Sequence, residues 1–415
     1  MNKSFFNIFK GDKVVWMVFL ILSLISVVEV FSASSSLTYK GGSYWSPMMK
    51  HSGTLLFGLF CMIVTLQIKC KYFKLFTPFL ILISYMMLVW VLFAGHSTND
   101  AARWVSLFGI QFQPSEIAKG TMVLATAQIL SATQTENGAD KHAFKWILVI
   151  CSPMIAFIVP ENFSTAGLIT VTLLMMMFIG RVPIRQVGGL FSLLAILAVV
   201  GVACIVLIGD TKDADEQRAP HETAIVADGG VPEKKDEGVG KKIFHRASLW
   251  KKRILALAES KNVPPDSVDL RDDGAQKAFS NIAIASSGGV GVGPGNSEIR
   301  DFLPQAFSDF IFSIIIEELG VFGLIFVPFL YFVLLFRAGV IARRCENNFP
   351  AFLVMGLAIM LVTQALINMC VAVGLAPVTG QPLPLVSKGG TSAVINCIYI
   401  GVILSVSRSA KKRTS

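Results

Sequence analysis

Long apolar stretches, separated by short polar segments, recur along most of the chain. Because a bilayer core about 30 Å thick needs roughly 20 apolar residues per helix, we interpret ten of these stretches as membrane-spanning helices. The fourth, fifth and sixth carry the weakest apolar signal, since their edges are polar or short. The ten ranges are 14–33, 50–68, 76–95, 114–132, 144–160, 164–180, 188–209, 309–336, 350–373 and 391–408.

Lysine and arginine residues in the short connecting segments predict the orientation of these spans. With the N-terminus inside the cell, the inner segments hold 17 such residues and the short outer segments hold 4. Positive residues concentrate in short cytoplasmic loops, so we expect both termini in the cytoplasm and an even number of spans. The first span is long for a cleaved signal peptide and is expected to remain as an anchor.

The apolar pattern divides the chain into three parts. Residues 1–209 hold spans 1 to 7, residues 210–308 form a large extracytoplasmic loop, and residues 309–415 hold spans 8 to 10. Within the loop, the polar residues 211–242 predict a flexible insertion. The apolar stripe of residues 243–259 predicts a helix on the outer membrane surface, or one packed on the loop itself. The expected fold is an all-α polytopic membrane protein with about ten transmembrane helices.

Composition agrees with this fold class. Of the 415 residues, 53% are apolar and 15% are charged, whereas soluble domains carry about 25% charged residues. A soluble globular enzyme and a disordered chain are therefore excluded. The net charge is +9, but most of the positive charge flanks apolar spans, so we expect no nucleic-acid partner. The seven cysteines lack paired spacing and the five histidines lack metal-ligand spacing.

Ionisable residues at or within apolar spans are costly in a bilayer and are therefore candidates for function. Asp309 stands at the start of the eighth span, where both a helix cap and a catalytic carboxylate fit its position. Glu317 and Glu318 lie roughly 12 Å deeper by helical rise. Two adjacent carboxylates there favour a structural polar network.

Two further polar groups lie at predicted outer ends of spans. Glu116 and Lys119 are three residues apart and can pair on one helix face. This pair either fixes the helix start or belongs to a polar wall with Arg103 and Lys119 as anion ligands. In the last outer loop, Gly389-Gly390 followed by Thr391-Ser392 offers N–H groups and hydroxyls to an anion, although a plain turn is the default for such a sequence. Together these groups suit a substrate with a lipid tail, an anionic linkage and a polar head.

Four stretches carry a resemblance to a known family. In order and content they resemble the motifs of the SEDS family (shape, elongation, division and sporulation proteins), whose members include FtsW and RodA. That family has ten spans, with a large outer loop between the seventh and the eighth. The stretches are ARWVSLFGIQFQPSEIAK (102–119), GGVGVGPGNS (288–297), LPQAFSDFIFSIIIEELGVFG (303–323) and PLPLVSKGGTSAVIN (382–396).

The resemblance implies an enzyme of the bacterial cytoplasmic (inner) membrane with its active site on the extracytoplasmic face. Such an enzyme is a glycosyltransferase that polymerises lipid II into peptidoglycan glycan strands. It works with a class B penicillin-binding protein, a transpeptidase, and with other membrane proteins of division. Asp309 matches the family's essential carboxylate, and we expect it to act as the general base while undecaprenyl pyrophosphate leaves. The Ser32-Ala33-Ser34 sequence after the first span favours the division type over the elongation type.

The same resemblance implies a set of substrate-binding residues around Asp309. Arg103, Lys119 and Lys388 are candidates for stabilising the leaving pyrophosphate. A divalent cation, Mg²⁺ or Mn²⁺, could share this task with Asp301 as a ligand, although no motif requires a metal. The full set is Arg103, Trp104, Gln113, Ser115, Glu116, Lys119, Asp301, Ser387, Lys388, Gly389, Gly390, Thr391 and Ser392.

Two departures from the family pattern fall in this region. The family's His-Thr before the catalytic Asp is Phe307-Ser308 here, and its Ser-Tyr-Gly-Gly is Ser387-Lys388-Gly389-Gly390. Two other functions stay open at this point. A lipid II flippase would also carry polar residues within its spans, although here most of them gather at the outer face. A structural membrane partner would use Asp309 only as a helix cap.

Overall fold

The computed structural model describes residues 10–34, 46–94, 96–98, 101–107, 110–136, 138–160, 162–208, 275–303 and 306–410. Side chains are described in these ranges except at 46–47, 92–111, 198, 202, 204–208 and 275. The predicted flexible insertion and the predicted surface helix lie outside the described residues. Residues 188–275 group as a unit of their own.

Within the described ranges, eleven α-helices account for most of the fold. Five short strands and one 3-10 turn, Ile299–Asp301, accompany them. The helices are α1 (Lys13–Ala33), α2 (Ser46–Gln67), α3 (Cys70–Ala94), α4 (Pro114–Ala132), α5 (Lys141–Ile158), α6 (Phe163–Ile179), α7 (Ile184–Ile208), α8 (Ala275–Ser286), α9 (Ile311–Arg344), α10 (Asn348–Ala372) and α11 (Thr391–Ser409). The strands are β1 (His96–Thr98), β2 (Ala101–Leu107), β3 (Ile110–Phe112), β4 (Gln134–Thr135) and β5 (Gly138–Ala139).

Each of the ten predicted spans coincides with a helix, namely α1 to α7 and α9 to α11. Eight of these helices are long and apolar enough to cross a membrane. The other two are α4 and α6, which match two of the three stretches with the weakest apolar signal. The helical fold class is confirmed, while the number of spans and their orientation stay predictions.

A three-stranded antiparallel sheet precedes α4, where the sequence analysis expects only a connecting segment. Strand β2 lies in the middle, with His96 paired to Trp104 on one side and Val105 to Phe112 on the other. The outer strands have three residues each, which is too short for an alternating pattern to indicate a strand. Sheets β1–β3 and β4–β5 are small additions to an otherwise helical fold.

Helices α10 and α11 form the centre of the bundle. In their most apolar windows 56% and 67% of residues are buried, against 22% for α3. Helix α10 packs against α4, α6 and α9, and α11 packs closely against α2. Glycines permit this approach, since a Cβ at Gly401 would lie 2.8 Å from Met62 O and one at Gly58 would lie 2.7 Å from Cys397 Sγ.

Helix α9 consists of two helical runs that meet at Gly320. This residue has φ 61° and ψ −146°, a conformation that side-chain-bearing residues rarely adopt. A Cβ on Gly320 would lie 2.3 Å from Gly289 O. The next residue, Val321, donates its N–H to the same carbonyl at 2.9 Å. The kink therefore accommodates the glycine-rich segment 288–297 against the buried part of α9.

The other end of α9 is fixed by an ion pair. Arg337 contacts Asp12 through Nη2 at 2.7 Å and Nε at 2.8 Å, and Asp12 N donates to Ser407 Oγ at 2.9 Å. Asp12 also caps α1 by accepting from the N–H groups of residues 14 and 15. Burial opposes ionisation of Asp12, but Arg337 and these N–H groups outweigh it, so the pKa of Asp12 lies below its usual value. This contact joins α1, α9 and α11 at one end of the bundle.

Candidate active site

Asp309 does not cap helix α9. The helix begins at Ile311 with Phe310 in the capping position, and no side chain makes a cap hydrogen bond there. Asp309 is half-buried, and its Oδ1 accepts a hydrogen bond from Ser308 Oγ at 3.1 Å. The helix-cap interpretation is therefore wrong, because the helix starts two residues later than the apolar run suggests.

The main chain around Asp309 is held from outside by three hydrogen bonds. The carbonyls of residues 307–309 each accept one bond. The N–H of Lys388 donates to the first at 2.9 Å, Ser387 Oγ to the second at 2.5 Å, and Asn368 Nδ2 to the third at 2.8 Å. Two of the donors lie in the last loop and one lies in α10. Such contacts fix the position of Asp309 without using its carboxylate.

The last loop, residues 381–388, is itself buried and rigidly held. Leu385 is 2% exposed and has φ 66°, a strained conformation for a residue with a branched side chain. The carbonyls on both sides of it are occupied, one by Tyr331 Oη and the other by Ser26 Oγ at 2.6 Å. Backbone strain persists only where surrounding contacts enforce it, and it concentrates at functional sites.

The predicted pair of Glu116 and Lys119 is present at the start of α4. Lys119 Nζ lies 2.9 Å from Glu116 Oε1, and both side chains are almost fully buried. Lys119 also donates to Gln364 Oε1 at 2.8 Å, and Gln364 Nε2 donates to Pro382 O at 3.0 Å. This chain of contacts favours the ion pair that fixes the helix start. Substrate binding by these two residues stays a prediction.

Buried amide side chains in and near α10 complete the frame of the last loop. Asn368 Nδ2 donates to Gln381 O at 2.7 Å, and Gln381 Nε2 donates to Thr165 Oγ1 at 2.7 Å. Asn368, Gln364 and Thr165 are not among the candidates predicted from sequence. Gln364 and Asn368 are amides four residues apart within an apolar span, a spacing that places them on one helix face and that could have revealed them.

Glu317 and Glu318 belong to the structural network that the sequence analysis favours. Glu317 is fully buried, and its carboxylate accepts from Ser297 Oγ at 2.5 Å and from the N–H groups of residues 298 and 299 at 3.0 and 3.3 Å. Glu318 accepts from Gly295 N at 2.9 Å and from Ser32 Oγ. These bonds hold the glycine-rich segment and the 3-10 turn that ends at Asp301, whose side chain is exposed.

The other predicted substrate residues occupy three places. Arg103 and Trp104 lie on strand β2, and their side chains are outside the described part of the chain. Gln113 takes the N-cap position of α4, and Ser115 is buried beside it. Gln113, Pro114 and Ser115 line a shallow cleft with residues of α3, α5 and the start of α6, namely Leu88, Val91, Phe157, Ile158 and Asn162.

The start of α11 has the predicted Gly-Gly-Thr-Ser arrangement. Gly390 occupies the N-cap position with φ 52°, and Ser392 N donates to Gly389 O at 3.0 Å. Within the described part of the chain, Thr391 Oγ1 and Ser392 Oγ have no hydrogen-bond partner. Both hydroxyl oxygens are buried, and anion binding by them stays a prediction.

Among the described residues, no three His, Cys, Asp or Glu side chains converge as ligands for a metal ion. A divalent cation held by Asp301 stays a prediction.

Solved structures with the same architecture place the helices in a known fold. RodA of Thermus thermophilus has a TM-score of 0.62 at 21% identity, covering 97% of this chain and 98% of that chain. A chain from a peptidoglycan synthase complex, studied for the structural coordination of polymerization and crosslinking, has a TM-score of 0.68 at 21% identity. That match covers 97% of this chain and 99% of the other. The fold is that of a polytopic membrane protein.

Sequence relatives span nearly the whole chain. A probable peptidoglycan glycosyltransferase FtsW of Saccharophagus degradans is 30% identical over 393 residues, covering 92% of this chain and 89% of the relative. A probable peptidoglycan glycosyltransferase FtsW of Coxiella burnetii is 28% identical over 401 residues, covering 94% and 95%. The peptidoglycan glycosyltransferase MrdB of Escherichia coli K12 is 26% identical over 407 residues, covering 98% and 95%.

A family model described as "Cell cycle protein", and named for FtsW, RodA and SpoVE, matches residues 12–217 and 239–412. The match includes all ten helices that coincide with predicted spans, Asp309, and the loop that holds its main chain. The chain therefore belongs to the FtsW, RodA and SpoVE family.

Proposed function

We propose that this chain polymerises lipid II into the glycan strands of peptidoglycan at the outer face of the bacterial inner membrane. Its relatives across nearly the full chain are named peptidoglycan glycosyltransferases. The observation that carries the proposal is the hydrogen bonding around Asp309. Its carboxylate takes no part in helix capping, while three hydrogen bonds from two other segments hold its main chain.

In the proposed reaction, Asp309 acts as the general base. It accepts the proton of the acceptor's sugar 4-hydroxyl as that oxygen bonds to C1 of the donor sugar. The bond from C1 to the pyrophosphate oxygen breaks, and undecaprenyl pyrophosphate leaves with the electron pair. The configuration at C1 inverts from α to β. Positioned base catalysis contributes roughly 10²–10⁴-fold to the rate, and Ser308 Oγ donates to the carboxylate and orients it.

The reaction demands a carboxylate near the boundary between water and lipid, since the sugars are polar and the polyprenyl chain is apolar. Asp309 immediately precedes a long apolar helix. With the predicted orientation, that position lies at the outer end of the span. A class B penicillin-binding protein would cross-link the strands made there, and other membrane proteins of division would accompany it.

We also propose that the chain serves division rather than elongation. Two relatives named FtsW are 28% and 30% identical, whereas MrdB is 26% identical. Expression in cells depleted of the division polymerase, and separately in cells depleted of the elongation polymerase, tests this assignment. Rescue of septation but not of rod shape is the expected result, and the reverse pattern would contradict it.

The activity is tested by polymerisation of purified lipid II, with and without the penicillin-binding partner. We compare the unchanged chain with Asp309→Asn, which removes the base but keeps the size of the side chain. The matched control is Asp140→Asn, because Asp140 is an exposed carboxylate that bonds His142 at 2.8 Å before α5. We expect glycan ladders from the unchanged chain and from the control only. A folded Asp309→Asn protein that polymerises at the unchanged rate would falsify the assignment.

A further inference from the structure

Two lysines from different parts of the chain belong to segments that hydrogen bonds join beside the last loop. Lys388 belongs to that loop, and Lys50 lies in the first turns of α2. The neighbouring residue His51 bonds Ser26 Oγ at 2.8 Å, and the same hydroxyl donates to Val386 O at 2.6 Å. The start of α2 is thereby tied to the loop two residues before Lys388. Burial lowers the pKa of Lys388, and the charge of Lys50 lowers this pKa further.

The ammonium group of Lys388 has a defined position. Its Nζ lies 4.9 Å from the centroid of the Phe307 ring, a distance at which a cation is attracted to the ring face. Its N–H donates to Phe307 O at 2.9 Å. Phe307 stands two residues before Asp309, so the cation is held at a fixed place relative to the proposed base. Phe307 and Lys388 are also two of the residues that depart from the family pattern, and they are in contact.

The two lysines lack a counter-charge within the described part of the chain. There, no carboxylate lies within ion-pair distance of Lys50 or Lys388. The buried Lys119, by contrast, pairs with Glu116 at 2.9 Å. Placing like charges together where one is half-buried costs free energy unless an anion accompanies them. A negatively charged ligand would provide this anion.

The ammonium groups of the two lysines indicate which kind of anion would bind. The hydroxyl oxygens of Thr391 and Ser392, three and four residues after Lys388, are buried and do not belong to this surface. Ammonium groups form charge-assisted hydrogen bonds with phosphate oxygens. The chemistry of the surface therefore fits a multiply charged phosphate group.

We propose that Lys388 and Lys50 form a binding subsite for the pyrophosphate of a polyprenyl-linked ligand, with Phe307 as the positioning residue of the Lys388 ammonium. This inference rests on the proposed function, because the ligand is the lipid-linked sugar donor or the polyprenyl pyrophosphate that it releases. The subsite would hold the leaving group beside Asp309.

The test measures binding of undecaprenyl pyrophosphate to the full-length chain in phosphatidylcholine nanodiscs. The variants are Lys388→Met, Lys50→Met, both together, and Phe307→Leu. The matched control is Lys71→Met, since Lys71 lies 5.1 Å from the centroid of the Tyr72 ring but belongs to α3. We expect Kd to rise about tenfold for either lysine variant, on the scale of a charge-assisted hydrogen bond. It should rise about threefold for Phe307→Leu, and the control should match the unchanged chain.

Two further measurements keep the proposal falsifiable. Lys388→Arg retains the positive charge and is expected to bind within about threefold of the unchanged chain, which separates loss of charge from loss of folding. Undecaprenyl monophosphate and nanodiscs containing phosphatidylglycerol distinguish the pyrophosphate from other anionic lipids. Equal losses for the pyrophosphate and for phosphatidylglycerol would overturn the subsite, and so would unchanged binding in both lysine variants.

The binding assay needs no turnover, so the two proposals fail separately. A chain that binds the pyrophosphate through its lysines but makes no glycan contradicts the proposed function alone. A chain that makes glycan but binds the pyrophosphate equally well without the lysines contradicts only the subsite. In active protein, the lysine variants should raise KM for lipid II more than they lower kcat.

Discussion

Two carboxylates near the start of α9 have opposite surroundings. Glu317 is fully buried, and its carboxylate accepts bonds from Ser297 and from the N–H groups of residues 298 and 299. Asp309 is half-buried, Ser308 Oγ donates to its carboxylate, and three bonds from neighbouring segments go to the carbonyls of residues 307–309. A carboxylate saturated by donors organises the fold. A carboxylate whose main chain is fixed, while its side chain reaches an accessible position, suits chemistry.

The largest expected difference between the two carboxylates is the effect of their substitution on the rate of lipid II polymerisation. Asp309→Asn should lower the rate of lipid II polymerisation by about 10²–10⁴-fold, the usual contribution of a positioned base. It should leave the thermal unfolding temperature nearly unchanged, since Asp309 does not cap α9. Steady-state polymerisation and a thermal unfolding scan on the same preparation check both parts. A large drop in unfolding temperature would place Asp309 in the same class as Glu317.

Several features in this comparison can be predicted from sequence, because they depend on residues that are close together along the chain. The apolar stretches place ten helices, and the spacing of Glu116 and Lys119 predicts their ion pair, which the structure has at 2.9 Å. Adjacent glutamates within an apolar span predict a buried polar network. Each of these inferences depends on residues a few positions apart.

The surroundings of Asp309 cannot be predicted in this way, because they depend on contacts between residues that are distant along the chain. The last loop is interpreted from sequence as an outer turn, whereas its carbonyls are bonded by Ser26 and Tyr331, more than 350 and 50 residues away. A leucine with φ 66°, at position 385, has no sequence signature. Lys50 is one of several lysines near a span end, and only the fold joins its helix to the loop of Lys388.

The second prediction extends the comparison to the buried ion pair. Lys119→Met should lower the free energy of unfolding by about 3–5 kcal/mol, because it leaves the carboxylate of Glu116 buried without its partner. Glu116→Gln combined with Lys119→Met should recover much of that loss, since no charge is then left unpaired. Denaturant titration in detergent measures both. A double variant as unstable as the single one would indicate that packing, rather than charge, accounts for the loss.

A smaller effect is expected at Glu317. Glu317→Gln replaces one acceptor oxygen by an NH₂ group and removes the charge that strengthens four hydrogen bonds. We expect a loss of about 1–3 kcal/mol in the free energy of unfolding. The matched control is Glu298→Gln, since that side chain is exposed and such substitutions usually change stability by less than about 0.5 kcal/mol. If the two variants were equally stable, the network around Glu317 would not be structural.

The smallest effect, and the sharpest test of the comparison, concerns Asn368. Its Nδ2 donates to Asp309 O at 2.8 Å and to Gln381 O at 2.7 Å, so it positions the base without touching its carboxylate. Asn368→Ala should lower kcat about tenfold with little change in KM, because small displacements of a catalytic group are costly. In an Asp309→Asn background the same substitution should have no further effect on the residual rate, since no base is left to misplace. An additional tenfold loss in that background, or a rise in KM alone, would show that Asn368 acts on substrate binding or folding. The hydrogen bonds from Asn368 would then stabilise the loop without positioning the Asp309 carboxylate.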